Sequence, residues 1–147
     1  MRMKAYNEMR LEFPGLSCNE AFARGAAACF TAQTDPTLNE LEDIKTAVSE
    51  AVTNAILHAY PDMIGKIILT MRLYTGNVLE VTVKDRGRGI ENIEQARQPM
   101  FTTGGAERSG MGFTIMESFM DSLIIRSAPG RGTTVIMRKR LSPRNRL

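Results

Sequence analysis

The sequence predicts an α+β fold, a two-layer α/β sandwich in which a mixed, mostly antiparallel sheet carries helices on one face. Two observations favour it. Segments of alternating hydrophobicity, typical of strands, come in hairpin pairs instead of alternating with helices. Segments with apolar residues at helical spacing begin with residues that typically cap a helix. The chain has 147 residues, 43% of them hydrophobic, so we expect residues 1–147 to form a single domain with one core.

The N-terminal part is predicted to form one strand and two helices. "NEMRLEF", residues 7–13, alternates as a strand does and ends at a Pro-Gly turn. "SCNE" and "TLNE" each place a serine or threonine three residues before a glutamate, the spacing of a capping box. They predict helices from Ser17 to about Gln33 and from Thr37 to about Ala59.

The first of these helices contains the two cysteines, Cys18 and Cys29. Eleven residues of helix separate them by about 16 Å, which is too far for a disulfide between them. We expect both to be reduced core residues.

The remaining chain is predicted to contain two hairpins and two helices. In chain order the elements are a strand hairpin at 66–74 and 78–84, a short helix at 91–96, a long helix from about 110, and a hairpin at 123–127 and 133–140.

The positive charge is confined to the C-terminus. Five of the 19 basic residues lie in residues 138–147, which contain no acid, so the rest of the chain has 14 basic against 16 acidic residues. No aromatic residue interleaves this tail for stacking on bases, so we expect a solvated end and no direct nucleic acid binding. No apolar run approaches the roughly 18 residues of a membrane span, and we expect a cytoplasmic protein.

A row of polar residues runs along the second predicted helix. In "SEAVTNAILHA", Glu50, Asn54 and His58 recur every four residues, about 200° to 280° around the helix from Val48 on the apolar stripe. A solvated helix flank would look the same. The alternative is a ligand face, on which the amide oxygen binds a hard cation and the carboxylate handles a proton.

A second motif, "KDRGRGI" at residues 84–90, follows the strand "VLEVTV". The strand's alternation puts Asp85 on its apolar side, where a carboxylate needs a hydrogen-bond donor such as the amino group of a purine. A strand-ending turn capped by Asp85 is the simpler interpretation. Gly87 and Gly89 would allow a backbone to approach a ligand closely.

The third motif, "RSGMGF" at residues 108–113, opens a predicted helix. Free amides at a helix start, preceded by Arg108, suit a phosphate. Residues 97–109, "RQPMFTTGGAERS", lack an apolar period and would form either a flap over this site or an idle loop.

Taken in order, these motifs resemble the N, G1 and G2 boxes of the GHKL superfamily of ATP-binding domains, which have the Bergerat fold. The similarity spans residues 40–137, and "GTT" at 132–134 resembles the family's adenine-side threonine motif. The segments "NEAFAR", "EAVTNAI", "QARQP" with "FTT", and "ERSGMGFTIME" further resemble the family of small serine kinases that act as anti-sigma factors toward the forespore sigma factor, sigma F.

This resemblance implies ATP or ADP with Mg²⁺ as ligands, a homodimer, and two protein partners, namely a sporulation sigma factor and an anti-anti-sigma substrate. Glu50 would be the catalytic base, Asn54 the magnesium ligand, and Arg24 the contact to the sigma factor. The nucleotide contacts would be Asn54, Asp85, Gly87, Gly89, Thr102, Thr103, Arg108, Ser109, Gly110, Met111, Gly112, Thr133 and Thr134.

Two other functions stay open on the sequence. One is an ATP-binding module of another GHKL protein without sigma-factor binding. A histidine autokinase is disfavoured because the only histidine, His58, lies inside the N box. The other is a non-enzymatic nucleic-acid binder that uses the basic tail.

Overall fold

The computed structural model describes residues 3–98 and 112–143. In this part of the chain, five strands form one sheet in the order β1-β2-β3-β5-β4, and all of their pairings are antiparallel. The strands are β1 (Asn7–Pro14), β2 (Lys66–Tyr74), β3 (Val78–Asp85), β4 (Ser122–Ser127) and β5 (Thr133–Arg140). The predicted α+β architecture is confirmed.

The helices are α1 (Cys18–Ala32), α2 (Leu38–Asn54), α3 (Ile93–Ala96) and α4 (Gly112–Phe119). Helix α2 packs between α1 and α4. The last five residues of the predicted second helix, Ala55–Ala59, form a wider π-helical turn. Such turns occur often at functional sites.

One face of the sheet and the inner faces of the helices share a core. The strands contribute their odd-numbered residues, including Leu69, Val81 and Met137, each at most 2% exposed. Helix α2 contributes five buried residues, Ile44, Ala47, Val48, Ala51 and Val52. The alternation of the strands and the helical period of α2 therefore explain which residues form this core.

The opposite face of the sheet carries a row of charges across four strands. Glu8, Arg72, Glu80 and Arg138 are neighbours in register, with ion-pair distances of 2.7, 3.3 and 2.8 Å. Glu80 is only 5% exposed, and its carboxylate lies between the guanidinium groups of Arg72 and Arg138. Two charges of the predicted basic tail are thus paired within the fold, Arg138 with Glu80 and Lys139 with Asp43 at 3.7 Å.

The two predicted capping boxes differ in outcome. At α2, Thr37 Oγ1 accepts from Glu40 N at 3.1 Å and Glu40 Oε1 accepts from Thr37 N at 2.9 Å, as predicted. At α1 the prediction is wrong, because Ser17 already has helical backbone angles and makes no capping bond. Glu20 instead accepts a hydrogen bond from the Ser49 hydroxyl on α2.

Two further predictions need correction. Cys18 and Cys29 are free thiols but exposed, because α1 turns a different stripe toward α2, which includes Ala23, Ala27 and Phe30. Helix α3 begins two residues later than predicted, because Asn92 Oδ1 accepts from Gln95 N at 3.0 Å and caps it there.

Candidate nucleotide site

A cavity of about 470 Å³ lies between the end of α2, the end of β3 and the start of α4. Its lining mixes apolar and polar side chains from all three elements. The residues that line it are Ala51, Asn54, Ala55, His58, Ala59, Val83, Asp85, Arg88, Gly89, Ile90, Glu91, Asn92, Gln95, Ala96, Gly112, Phe113, Pro129, Thr133 and Val135. Its size and mixed lining are typical of a small-molecule site.

The helical side of the cavity carries two members of the predicted polar row. Asn54 and His58 line the cavity, and the small residues Ala51 and Ala55 beside them leave room for a ligand. Glu50 lies one turn before Asn54 and is half-buried, but it is not a lining residue. Of the three residues in the predicted row, Asn54 and His58 therefore face the cavity, and a ligand contact by either stays a prediction.

On the sheet side, Asp85 is the last residue of β3 and is 7% exposed. Its Oδ1 accepts hydrogen bonds from Gly87 N at 2.9 Å and from Thr133 N at 3.2 Å. Burial raises the pKa of Asp85, although these two bonds oppose the shift. Within the described part of the chain no donor reaches Oδ2, which is therefore available to an N–H group of a ligand.

The threonines of the predicted final motif lie on opposite faces of the sheet. Thr133 is the register partner of Asp85 and lines the cavity. Thr134, one residue later, pairs with Lys84 and Arg126 on the charged face and does not reach the cavity. Strand alternation alone explains the difference.

The glycines of the predicted turn make room for the protein's own backbone. A Cβ on Gly87 would lie 2.1 Å from the carbonyl oxygen of Ala59, at the end of the π-helical turn. Gly89 has a positive φ of 77°, and a Cβ there would lie 2.0 Å from the carbonyl oxygen of Ala128. We call residues 85–90 the glycine turn. It packs closely on the helix end and on the β4–β5 turn, while Gly89 also lines the cavity.

Two residues that support the site were not predicted from the sequence. The Ser127 hydroxyl accepts from Ile90 N at 2.8 Å, donates to Gly132 O at 2.9 Å, and lies 2.8 Å from Thr133 Oγ1. Tyr60 contacts the glycine turn through its own hydroxyl. The hydrogen bonds of both residues join positions more than 25 residues apart or lie across a turn. A local sequence pattern therefore does not reveal these two residues.

Several predicted contacts lie outside the described residues, namely Thr102, Thr103, Arg108, Ser109, Gly110 and Met111, together with most of the predicted flap. Gly112, the first residue of α4, is buried and lines the cavity. Arg24 lies away from the cavity on the exposed side of α1, with its Nη2 3.8 Å from Glu20 Oε2.

The lining suits a ligand with one flat apolar part and one polar part. At the sheet end, a buried carboxylate and the side chains of Val83, Ile90 and Val135 surround a space for a ring that carries an N–H donor. At the helix end, Asn54, His58 and the start of α4 offer polar contacts. A purine nucleotide has this division of character.

Comparison with known proteins gives an ATP-binding class of domain, as the shape and lining of the cavity suggest. The histidine kinase-like ATPase domain matches residues 18–139. The anti-sigma F factor of Bacillus subtilis is 55% identical over 138 residues, which cover 92% of this chain and 94% of the relative. The anti-sigma F factor of Anoxybacillus flavithermus is 54% identical over 137 residues, with the same coverage.

This chain belongs to the anti-sigma F factor family of histidine kinase-like ATPase domains. Solved structures show the same fold at lower identity. The RsbU and RsbW domains of a Mycobacterium tuberculosis protein superpose with a TM-score of 0.71 at 22% identity, covering 95% of this chain and 34% of that chain. A mycobacterial sensor histidine kinase, MprB, gives 0.58 at 14% identity, covering 92% of this chain and all of the other.

No three His, Cys, Asp or Glu side chains in residues 3–98 and 112–143 cluster closely enough to hold a metal ion. In the same ranges, no helix is both long and apolar enough to span a membrane.

Proposed function

We propose that this protein is a cytoplasmic anti-sigma factor that inhibits a sporulation sigma factor of the sigma F type and, as an ATP-dependent serine protein kinase, phosphorylates an anti-anti-sigma protein. The observation that carries the proposal is the cavity with Asp85 at one end and Asn54 at the other. The relatives named anti-sigma F factor support the choice of protein partners. We further propose that it acts as a homodimer.

In the proposed complex, Asp85 selects the nucleotide. Its Oδ2 accepts from the exocyclic amino group of adenine, while Val83 and Val135 contact the ring. Guanine carries a carbonyl oxygen at the corresponding position, which would face the carboxylate without a hydrogen bond. Adenine is therefore preferred over guanine.

The phosphates extend toward the helix end of the cavity, where Asn54 would hold Mg²⁺. An amide oxygen suits this hard cation, and Mg²⁺ commonly takes its other ligands from phosphate oxygens and water. When bound, the ion neutralises charge on the phosphates.

Glu50 is the proposed base that orients and deprotonates the serine hydroxyl of the substrate protein. It lies on α2 one turn from Asn54 and at the edge of the cavity's lining, where the hydroxyl of a partner would approach the phosphates. Arg24 is the proposed contact to the sigma factor. Its ion pair with Glu20 is long and partly exposed, so it contributes little to stability and is readily exchanged for a carboxylate of a partner.

The nucleotide site is tested by titrating the protein with a fluorescent ADP analogue, with and without Mg²⁺. We expect Asp85→Asn to weaken binding at least tenfold, because an amide donor would then face the amino group of adenine. Asn54→Ala should remove the dependence on Mg²⁺. Glu80→Gln makes the same carboxyl-to-amide change on the opposite face of β3 and serves as the control. Wild-type protein that binds no nucleotide at millimolar concentration would refute the proposed function.

The kinase step is tested with labelled ATP and the anti-anti-sigma protein from the same genome. Glu50→Ala should slow transfer of label by at least a hundredfold and leave ADP affinity within about twofold, since general base catalysis contributes about 10² to 10⁴. Glu42, exposed on the same helix, provides the matched control Glu42→Ala. Transfer at near wild-type rate in Glu50→Ala would show that another group is the base.

A further inference from the structure

Tyr60 connects three segments around the cavity. It directly follows the π-helical turn at the end of α2. Its hydroxyl oxygen accepts a hydrogen bond from Arg86 N at 2.7 Å and donates one to Lys66 O at 2.8 Å. One side chain thus joins the helix end to the glycine turn and to the first residue of β2.

The backbone around Tyr60 is fitted to this arrangement. Arg88 N donates to Ala59 O at 2.9 Å, so the helix end holds the glycine turn at a second point. A Cβ on Gly65 would lie 2.2 Å from the Tyr60 ring, and one on Gly87 would lie 2.1 Å from Ala59 O. Both positions must be glycine for the tyrosine ring and the helix end to sit where they do.

The two segments joined by Tyr60 carry opposite ends of the nucleotide site. Asn54 and His58 lie on the helix just before Tyr60. Asp85 directly precedes Arg86, whose backbone N–H donates to the Tyr60 hydroxyl. A nucleotide that spans the cavity must contact both ends at once, so the separation between them determines how well it fits.

We propose that Tyr60 is a positioning residue, which sets the separation between Asn54 and Asp85 through its hydrogen bond to the glycine turn. This inference rests on the proposed nucleotide site. Both hydrogen-bond partners of the hydroxyl are main-chain groups near the surface, where water replaces the lost bonds. Loss of the hydroxyl therefore affects the geometry of the site more than folding.

Two ligands distinguish positioning from a general structural role. Adenosine contacts the Asp85 end alone, whereas Mg-ADP contacts both ends. In Tyr60→Phe we expect adenosine affinity to stay within twofold of wild type and Mg-ADP affinity to fall five- to tenfold. The control is Tyr74→Phe, which removes a hydroxyl 3.4 Å from Glu80 on the charged face and should change neither affinity. Equal losses for both ligands, or no loss for Mg-ADP, would overturn the proposal.

Amide hydrogen exchange of the nucleotide-free protein gives a readout that does not depend on ligand binding. We expect the amides of residues 86–88 to exchange at least fivefold faster in Tyr60→Phe than in wild type, while the amides of β3 keep their rates. Unchanged exchange at 86–88 would overturn the proposal even if Mg-ADP binding fell. If wild-type protein binds no nucleotide, the proposed function fails, and exchange at 86–88 alone decides whether Tyr60 holds the turn.

Discussion

At the scale of single residues, Asp85 combines a cost in folding with its proposed role in nucleotide binding. Its carboxylate is buried, yet both hydrogen bonds it receives from described residues go to one oxygen. An asparagine could accept the same two bonds through its amide oxygen without placing a charge in the interior. The carboxylate is thus better explained by a ligand than by stability.

This view predicts how nucleotide affinity depends on pH. Because burial raises the pKa of Asp85, protonation begins above the ordinary aspartate range near 3.9, and the protonated group no longer accepts freely from adenine. We expect ADP affinity to fall as pH is lowered toward that range, measured by titration of the fluorescent analogue at several pH values. Asp85→Asn should show a weak and flat profile. An equal pH dependence in that variant would assign the titration to another group.

The raised pKa of Asp85 also determines how its ionisation changes the stability of the fold. Between the unfolded and the raised folded pKa the native state binds more protons, so ionisation of Asp85 destabilises the fold as pH rises through this window. Asp85→Asn should therefore have a Tm at pH 7 equal to or above that of wild type in the nucleotide-free protein, as followed by circular dichroism. A clearly lower Tm would show that the carboxylate stabilises the empty site.

At the scale of elements, the N-terminus of α2 is held by the capping box and by the C-terminal segment. Glu40 Oε2 accepts from Ser142 N at 2.7 Å, so one carboxylate joins the helix start to the residue that follows Leu141. Burial raises the pKa of Glu40, but the hydrogen bonds from Thr37 and Ser142 outweigh it and hold the pKa below its ordinary value. The cap therefore stabilises the helix that carries Asn54.

The two serine and threonine positions at helix starts give a matched prediction. Thr37→Ala should lower the free energy of unfolding by about 1 kcal/mol, the usual contribution of a capping side chain. Ser17→Ala should change it by less than about 0.5 kcal/mol, because Ser17 makes no capping bond. Urea unfolding measures both. Equal losses would mean that Ser17 caps α1 in solution after all.

These elements also show what local sequence can predict. Strand alternation placed Asp85 in the interior and helical spacing brought Asn54 and His58 to one side, because both patterns depend on geometry within an element. The Ser17 cap, the exposed cysteines, Tyr60 and Ser127 depend on which surface of an element meets its neighbour. Glu20 bonds to Ser49 on α2 instead of closing a capping box, and no pattern near Ser17 reveals that partner.

At the scale of the whole molecule, the sheet separates the proposed nucleotide site on one face from the row of ion pairs on the other. Strand β3 carries two buried carboxylates five positions apart, so alternation sends them to opposite faces. Asp85 faces the cavity, where described donors satisfy one oxygen. Glu80 faces the charged row, where Arg72 contacts Oε1 and Arg138 contacts Oε2. The second carboxylate is fully engaged within the protein and has no oxygen left for a ligand.

The two carboxylates should therefore respond in opposite ways to the same chemical change. Glu80→Gln should lower the free energy of unfolding by about 1 to 2 kcal/mol, because a neutral amide replaces charge-assisted bonds to two arginines. Its ADP affinity should stay within twofold of wild type, while Asp85→Asn keeps its stability and loses binding. Urea unfolding and nucleotide titration of both variants test this reciprocity. If Glu80→Gln weakened ADP binding as strongly as Asp85→Asn, changes on the charged face would affect the cavity, and the two faces of the sheet would not be independent.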